Sequence, residues 1–150
     1  MSFDDGRWSI EESERVRVVM MDDKKIYYGE RLEKPVILEN KEHEGYEYYI
    51  ITLGTHPCCY VLLPLGHKYH GEHYNDIPIE CHFGLTYSRP TLLGDNIITG
   101  GEWVIGWDYA HLDDFYSHPL GCPGHKWTLD ELRNEVYEVI DQLVKYDGDD

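Results

Sequence analysis

Thr128-Leu129-Asp130-Glu131-Leu132, continued to Val144, is the stretch that decides the fold, because it carries the clearest periodicity in the chain. Thr128 and Glu131 stand three apart as a capping box, the hydroxyl facing the third helical amide and the carboxylate reaching back. Leu129, Leu132, Val136, Val139, Ile140, Leu143 and Val144 then recur at spacings of three and four. That spacing predicts a helix of about four to five turns with one apolar stripe. A stripe of this kind must be buried, and the residues before it supply a sheet to bury it.

Trp103-Val104-Ile105-Gly106-Trp107 predicts a strand that delivers Asp108 at its end. Residues 77–87 predict another, with Glu80 and His82 on one face, Ile79, Cys81 and Phe83 on the other, and Gly84 at a bulge or a close backbone approach. Residues 46–53 and 58–63 are rich in β-branched and aromatic side chains and read as central strands. Val36-Ile37-Leu38 follows Pro35 as a short strand, residues 40–45 read as a charged loop, and residues 16–28 as a hairpin around Asp22-Asp23-Lys24-Lys25. Residues 66–76, 89–101 and 118–124 have loop composition. Strands followed by one amphipathic helix predict an α+β fold, a mainly antiparallel sheet with the C-terminal helix packed on one face. Residues 1–150 are expected to form a single domain, with 1–12 and 147–150 loosely ordered.

A chain of 150 residues is long enough for one sizeable core. Its formal charge of −16 opposes direct binding to nucleic acid or to an anionic membrane. Solubility, imitation of nucleic-acid phosphates and carboxylates gathered around a cation each account for such a charge, and a bound dication reverses the local sign. Cys58, Cys59, Cys81 and Cys122 lack CxxC spacing and are expected to be reduced thiols. The N-terminus lacks a basic region followed by an apolar core, and no apolar run is long enough to span a bilayer. A cytoplasmic location without a membrane partner is the expectation.

Two segments carry chemistry. Asp108, His111 and Asp114 form D-x-x-H-x-x-D after a strand, and carboxylates with a neutral imidazole are competent ligands for a divalent ion such as Zn, Mn or Mg. A cap at Asp108 and a structural hydrogen bond at His111 explain the same pattern. His82 and Thr86 stand four apart across Gly84; His82 suits general acid–base work and Thr86 can orient a phosphate oxygen. A buried structural histidine and a strand-forming threonine are the plainer reading of that pair. His67, His70 and His73 recur every third residue, but the intervening Gly71 disfavours a helical metal claw. No Walker loop, dinucleotide-binding glycine pattern, G-x-S-x-G elbow or HExxH occurs.

In their order, Pro64-Leu65-Gly66-His67, Tyr69, Gly71, Tyr74-Asn75-Asp76, His82-Phe83-Gly84-Leu85-Thr86-Tyr87 and Trp103 to His111 resemble a family of small bacteriophage proteins of no established activity. Its members carry G-H-P-x-Y-G-K-x-Y-D-D, H-G-G-L-T-Y and W-W-I-G-F-D-C-A-H-A-G-D segments and a C-terminal helix opening W-T, matched here by Trp127-Thr128. The likeness runs over roughly residues 60–145. Phe83 stands where the family has glycine, Lys68 for proline, Tyr109 for cysteine, and Asp113-Asp114 for Gly-Asp.

That resemblance implies a phage accessory protein acting in the bacterial host cytosol. The leading expectation is a hydrolase for a phosphoester or nucleotide signal, using His82, Thr86, Asp108 and His111 as catalytic groups and Asp108, His111 and Asp114 as metal ligands. His67, Tyr69, Tyr87 and Trp107 are the expected substrate contacts. The alternatives are a sponge that sequesters a nucleotide messenger of host defence, and an acidic inhibitor of a host nucleic-acid-binding protein. Turnover, a host-protein partner and homo-oligomerisation are left open.

Overall fold

The computed structural model describes residues 33–92, 97–111, 114 and 124–147. The hairpin expected over residues 16–28, most of the irregular stretch at 118–124, and Cys122 lie outside them. Among the described residues, seven strands precede one α-helix: β1 (Val36–His43), β2 (Tyr46–Thr52), β3 (Pro57–Leu63), β4 (Tyr87–Arg89), β5 (Thr91–Leu92), β6 (Ile97–Ile98), β7 (Trp103–Asp108) and α1 (Leu129–Asp147). Five of them build an antiparallel sheet in the order β1-β2-β3-β7-β4, and β5 and β6 pair separately. The α+β architecture expected from the sequence is the one observed.

Period-2 alternation sorts the central strands into two faces. Tyr48, Ile50, Cys59, Val61, Leu63, Ile105 and Trp107 pack toward the helix together with Leu129, Leu132, Val136, Val139, Ile140 and Leu143. Ile51, Cys58, Tyr60, Leu62, Leu92 and Val104 form a second cluster on the opposite side. Val144, counted with the stripe by its spacing, is 39% exposed and lies beyond the buried edge of the helix. Glycine is required at Gly106: a Cβ there would stand 2.5 Å from a ring carbon of Tyr60 and 2.9 Å from the Cys59 carbonyl.

The helix begins as its capping box dictates. Glu131 N–H donates to Thr128 Oγ1 at 3.2 Å, and Thr128 N–H donates to Glu131 Oε1 at 2.8 Å. One turn on, Arg133 forks onto the buried Glu39 of β1, with Nη2–Oε1 at 2.6 Å and Nε–Oε2 at 2.8 Å. Tyr48 donates to the same carboxylate at 2.6 Å. Burial opposes the charge on Glu39, but the Arg133 and Tyr48 hydrogen bonds outweigh it and hold the carboxyl below its ordinary value. This pair joins helix and sheet.

Two expectations are corrected by turns. The charged stretch 40–45 is the end of a hairpin: β1 runs to His43, and Glu44 and Gly45, with φ of 53° and 84°, form the two-residue connection to β2. Two positive φ values give the turn whose twist matches the strands it joins, so the ladder continues through polar residues at the sheet edge. Residues 77–86 are not a strand. Phe83 and Gly84 have φ of 57° and 84°, and Gly84 N–H closes a turn onto the Cys81 carbonyl at 2.9 Å, which ends the alternation before β4. No helix among the described residues is long and apolar enough to cross a membrane.

Candidate metal and acid–base centre

The segment before β4 makes few ladder bonds, so the helix holds it with side chains. Gln142 clasps Glu80, accepting its N–H and donating to its carbonyl, each at 2.8 Å. Two helical turns earlier, Glu135 Oε2 accepts the His82 N–H at 2.6 Å. Glu135 Oε1 accepts from the Tyr109 hydroxyl, which in turn accepts from Trp107 Nε1 at 3.0 Å. Burial, reinforced by neighbouring Cys59 and Glu135, raises the Tyr109 phenol well above its ordinary value, so it stays protonated and donates. The His82 imidazole lies flat on the Tyr109 ring, centroids 4.6 Å apart and planes 13° from parallel. Backbone and ring of His82 are thus both fixed.

His82 Nε2 meets both carboxylate oxygens of Asp114 at 2.8 Å. Trp127 Nε1 donates to Asp114 Oδ1 at 2.9 Å, and the His111 N–H donates to Oδ2 at 3.1 Å. Three donors therefore converge on one carboxylate whose side chain is 1% exposed, and charge-assisted bonds of this kind are what a buried carboxylate needs. Among the described residues, Nδ1 of the His111 ring has no such partner. It is buried without a hydrogen bond, 3.5 Å from Asp108 Oδ1 and 3.6 Å from Asp114 Oδ2.

Ligand atoms of His82, His111 and Asp114 all lie within 4.8 Å of one another. Bonds of about 2.1 Å at tetrahedral angles separate ligand atoms by about 3.4 Å, so the His111–Asp114 spacing already suits an ion and the shorter His82–Asp114 contact needs only to open slightly. The two segments named from the sequence meet in space, with His82 and His111 ring centroids 5.9 Å apart. His82, expected as a proton shuttle, stands with His111 and Asp114 in the group that could hold an ion. Asp108 flanks that set instead of sharing it, and its Oδ1 also accepts the Ala110 N–H at 3.3 Å, the capping role weighed for it above.

Phe83 stacks on His111 at 4.5 Å with planes 12° apart while remaining 59% exposed. It does so from the left-handed backbone region, where a residue with a Cβ pays roughly 1 kcal/mol. His82 also lines a cleft of about 320 Å³ with Trp127, Glu131, Asn134, Glu135 and Glu138. Three carboxylates and no lysine or arginine border that cleft, so an anion reaches His82 only against the local field unless a cation is bound.

The remaining expected contacts lie elsewhere. His67 is buried against the end of α1, its Nε2 3.4 Å from the Leu143 carbonyl and its Nδ1 accepting the Tyr69 N–H at 3.0 Å; Tyr69 packs edge-on against Tyr146. His70 meets the Gly101 carbonyl and His73 the Asn75 N–H, so the three histidines of that loop diverge. Trp107 is buried beneath the site. Thr86 and Tyr87 line a different hollow, which shares no residue with the acidic cleft. Cys58 and Cys59 are buried, and burial raises the Cys59 thiol far above its usual range and pushes Cys81 up to about 12. Neither of those two thiols is poised as a nucleophile.

Glu135, Trp127 and Tyr109 were not singled out from the sequence as parts of the site. A second set of potential ligands, His43, Glu44 and Asp141, lies at the surface, where His43 is already bonded to Asp141 at 3.1 Å. The chain matches no protein-family model, no curated protein and no solved structure. The functional reading therefore rests on the site itself.

Proposed function

We propose that His82, His111 and Asp114 hold a divalent metal ion and that the chain is a hydrolase for a phosphoester or nucleotide, the setting implied by the phage resemblance. The observation that carries this reading is the buried Nδ1 of His111, which lies 3.5 and 3.6 Å from two carboxylate oxygens and makes no hydrogen bond among the described residues. With its proton on Nε2, His111 aims a lone pair at those carboxylates, and a cation in that space turns the repulsion into coordination.

When bound, a divalent ion supplies Lewis acidity and lowers the pKa of a coordinated water toward neutrality. The chain's own residues do the rest. Trp127 and the His111 amide orient Asp114, Tyr109 and Glu135 fix the plane and backbone of His82, and Phe83 shields His111 from bulk water. A neighbouring cation also offsets the carboxylates of the cleft, which otherwise repel a phosphoester.

A second reading has its own support in the contact of His82 Nε2 with both Asp114 oxygens. Asp114 then fixes the Nε2–H tautomer, assigned from this acceptor, and leaves the basic lone pair on Nδ1 as a metal-independent general base. Incubating metal-stripped protein with cyclic and linear nucleotides, with and without Zn or Mn, separates the readings by chromatography of the products. The metal reading expects hydrolysis only with the ion and a loss of at least about 100-fold in His111→Ala. Turnover undiminished in chelator selects the dyad, and intact recovery of a depleted nucleotide after denaturation selects the sponge.

A further inference from the structure

In a chain carrying a formal charge of −16, a hollow of about 450 Å³ on the edge-strand side of the sheet is lined by no carboxylate among the described residues. Its walls are His73, Tyr74, Thr86, Tyr87, Ser88 and Arg89. The Arg89 side chain is exposed and makes no hydrogen bond or ion pair among the described residues, which is unusual where acidic side chains outnumber basic ones 29 to 13. Hydrogen-bond geometry fixes two more donors. His73 Nδ1 accepts the Asn75 N–H at 3.1 Å, so the neutral ring carries its proton on Nε2. Ser88 Oγ accepts the Tyr74 N–H at 3.0 Å, which leaves its own O–H to donate. The Thr86 hydroxyl is exposed and has no side-chain partner among the described residues.

We infer that this hollow is an anion site for the phosphoryl group of a small phosphomonoester, a nucleoside monophosphate being the best fit, at a place separate from the histidine centre. One guanidinium and three neutral donors border it. A phosphoryl group offers three terminal oxygens to that set, whereas a carboxylate offers two. The rings of His73 and Tyr74, 4.1 Å apart, make one wall of the hollow aromatic, a surface suited to the planar part of a nucleotide. The volume lies within the range of small-molecule sites. Tyr87 is held rigidly by its own bond to the Thr91 carbonyl at 2.5 Å and by an edge-on contact with Tyr60 at 5.0 Å, so that wall is preformed.

Calorimetry of the full chain in chelator tests this without the metal centre. Adenosine monophosphate is expected to bind saturably with a Kd of about 1 mM or tighter. Inorganic phosphate is expected to compete, and acetate is not. Arg89→Ala should weaken binding by about 10-fold or more, the share of a charge-assisted bond, and Arg89→Lys should restore part of it. Thr86→Ala should weaken it less, and His111→Ala should leave it unchanged. Both Arg89 and Thr86 are exposed, so these variants keep the fold. The inference is overturned by the absence of saturable binding below about 10 mM, by equal binding of acetate, or by binding that His111→Ala abolishes and Arg89→Ala does not. Those results leave the metal reading untouched, because no metal is present.

Discussion

Strands β2, β3 and β7 and the segment 77–86 all pack in the core cluster that α1 joins, yet they are held in different ways. The strands are fixed by continuous antiparallel ladders and by side chains that are nearly all buried. The segment is fixed by Gln142 and Glu135 reaching out from the helix to its backbone. A ladder makes rigid structure but leaves side chains committed to packing. A clasp made by helix side chains holds a turn whose own side chains, His82 and Phe83, remain available at the surface. The site is built on the second kind of support and borrows its rigidity from the first.

The comparison can be broken most severely at the shared core. Leu132 is fully buried between helix and sheet, and Leu132→Ala is expected to lower unfolding free energy by about 2–5 kcal/mol, read as a shift of the denaturant midpoint. The next effect is at the ion pair. Arg133→Met leaves the buried Glu39 without its cation and should cost about 3 kcal/mol at pH 7, moderated because Arg133 is partly exposed. The pH dependence then weakens. In the native chain Glu39 has a lowered carboxyl value, so its contribution is full above its ordinary 4.5 and is lost as pH falls through the folded value. In the variant burial is opposed only by the Tyr48 hydrogen bond and by Lys41, so the lowering shrinks and acidification costs the variant less than it costs the native chain. Denaturant midpoints of both proteins between pH 7 and pH 4 check this.

The smallest effect sharpens the account of the turn. Phe83→Gly and Phe83→Ala both remove the ring from His111, but only glycine accepts the backbone φ of 57° without strain. The glycine variant should be the more stable of the two by about 1 kcal/mol. Equal stabilities would show that the turn relaxes when the ring is gone.

The same contrast explains what could be read in the sequence. The capping box and the three-four spacing of α1 state their structure directly, and so do the β-rich runs of β2 and β3. Residues 77–86 misled because apolar alternation continues into Cys81 and Phe83, and a positive φ at a phenylalanine is invisible to periodicity. His82, His111 and Asp114 were legible as chemistry-bearing residues, and their convergence follows from β7 and the turn meeting beside one helix. Glu135 was hidden because a carboxylate next to a buried stripe reads as solvated surface; only the fold shows it accepting from Tyr109 and His82. Thr86 was grouped with His82 by spacing alone, and the turn at Phe83-Gly84 sends it to the other hollow.

The central claim is that the His82–His111–Asp114 cluster binds a divalent ion, and the most direct measurement is the metal content of the folded chain after equilibration with Zn or Mn and removal of free ion. A single tightly held ion is predicted for the wild-type chain and for His43→Ala, which alters only the surface set, while His82→Ala and His111→Ala are predicted to lose it with the fold intact by circular dichroism. A wild-type chain that retains no ion, or His82 and His111 variants that retain as much as the wild type, would contradict the account.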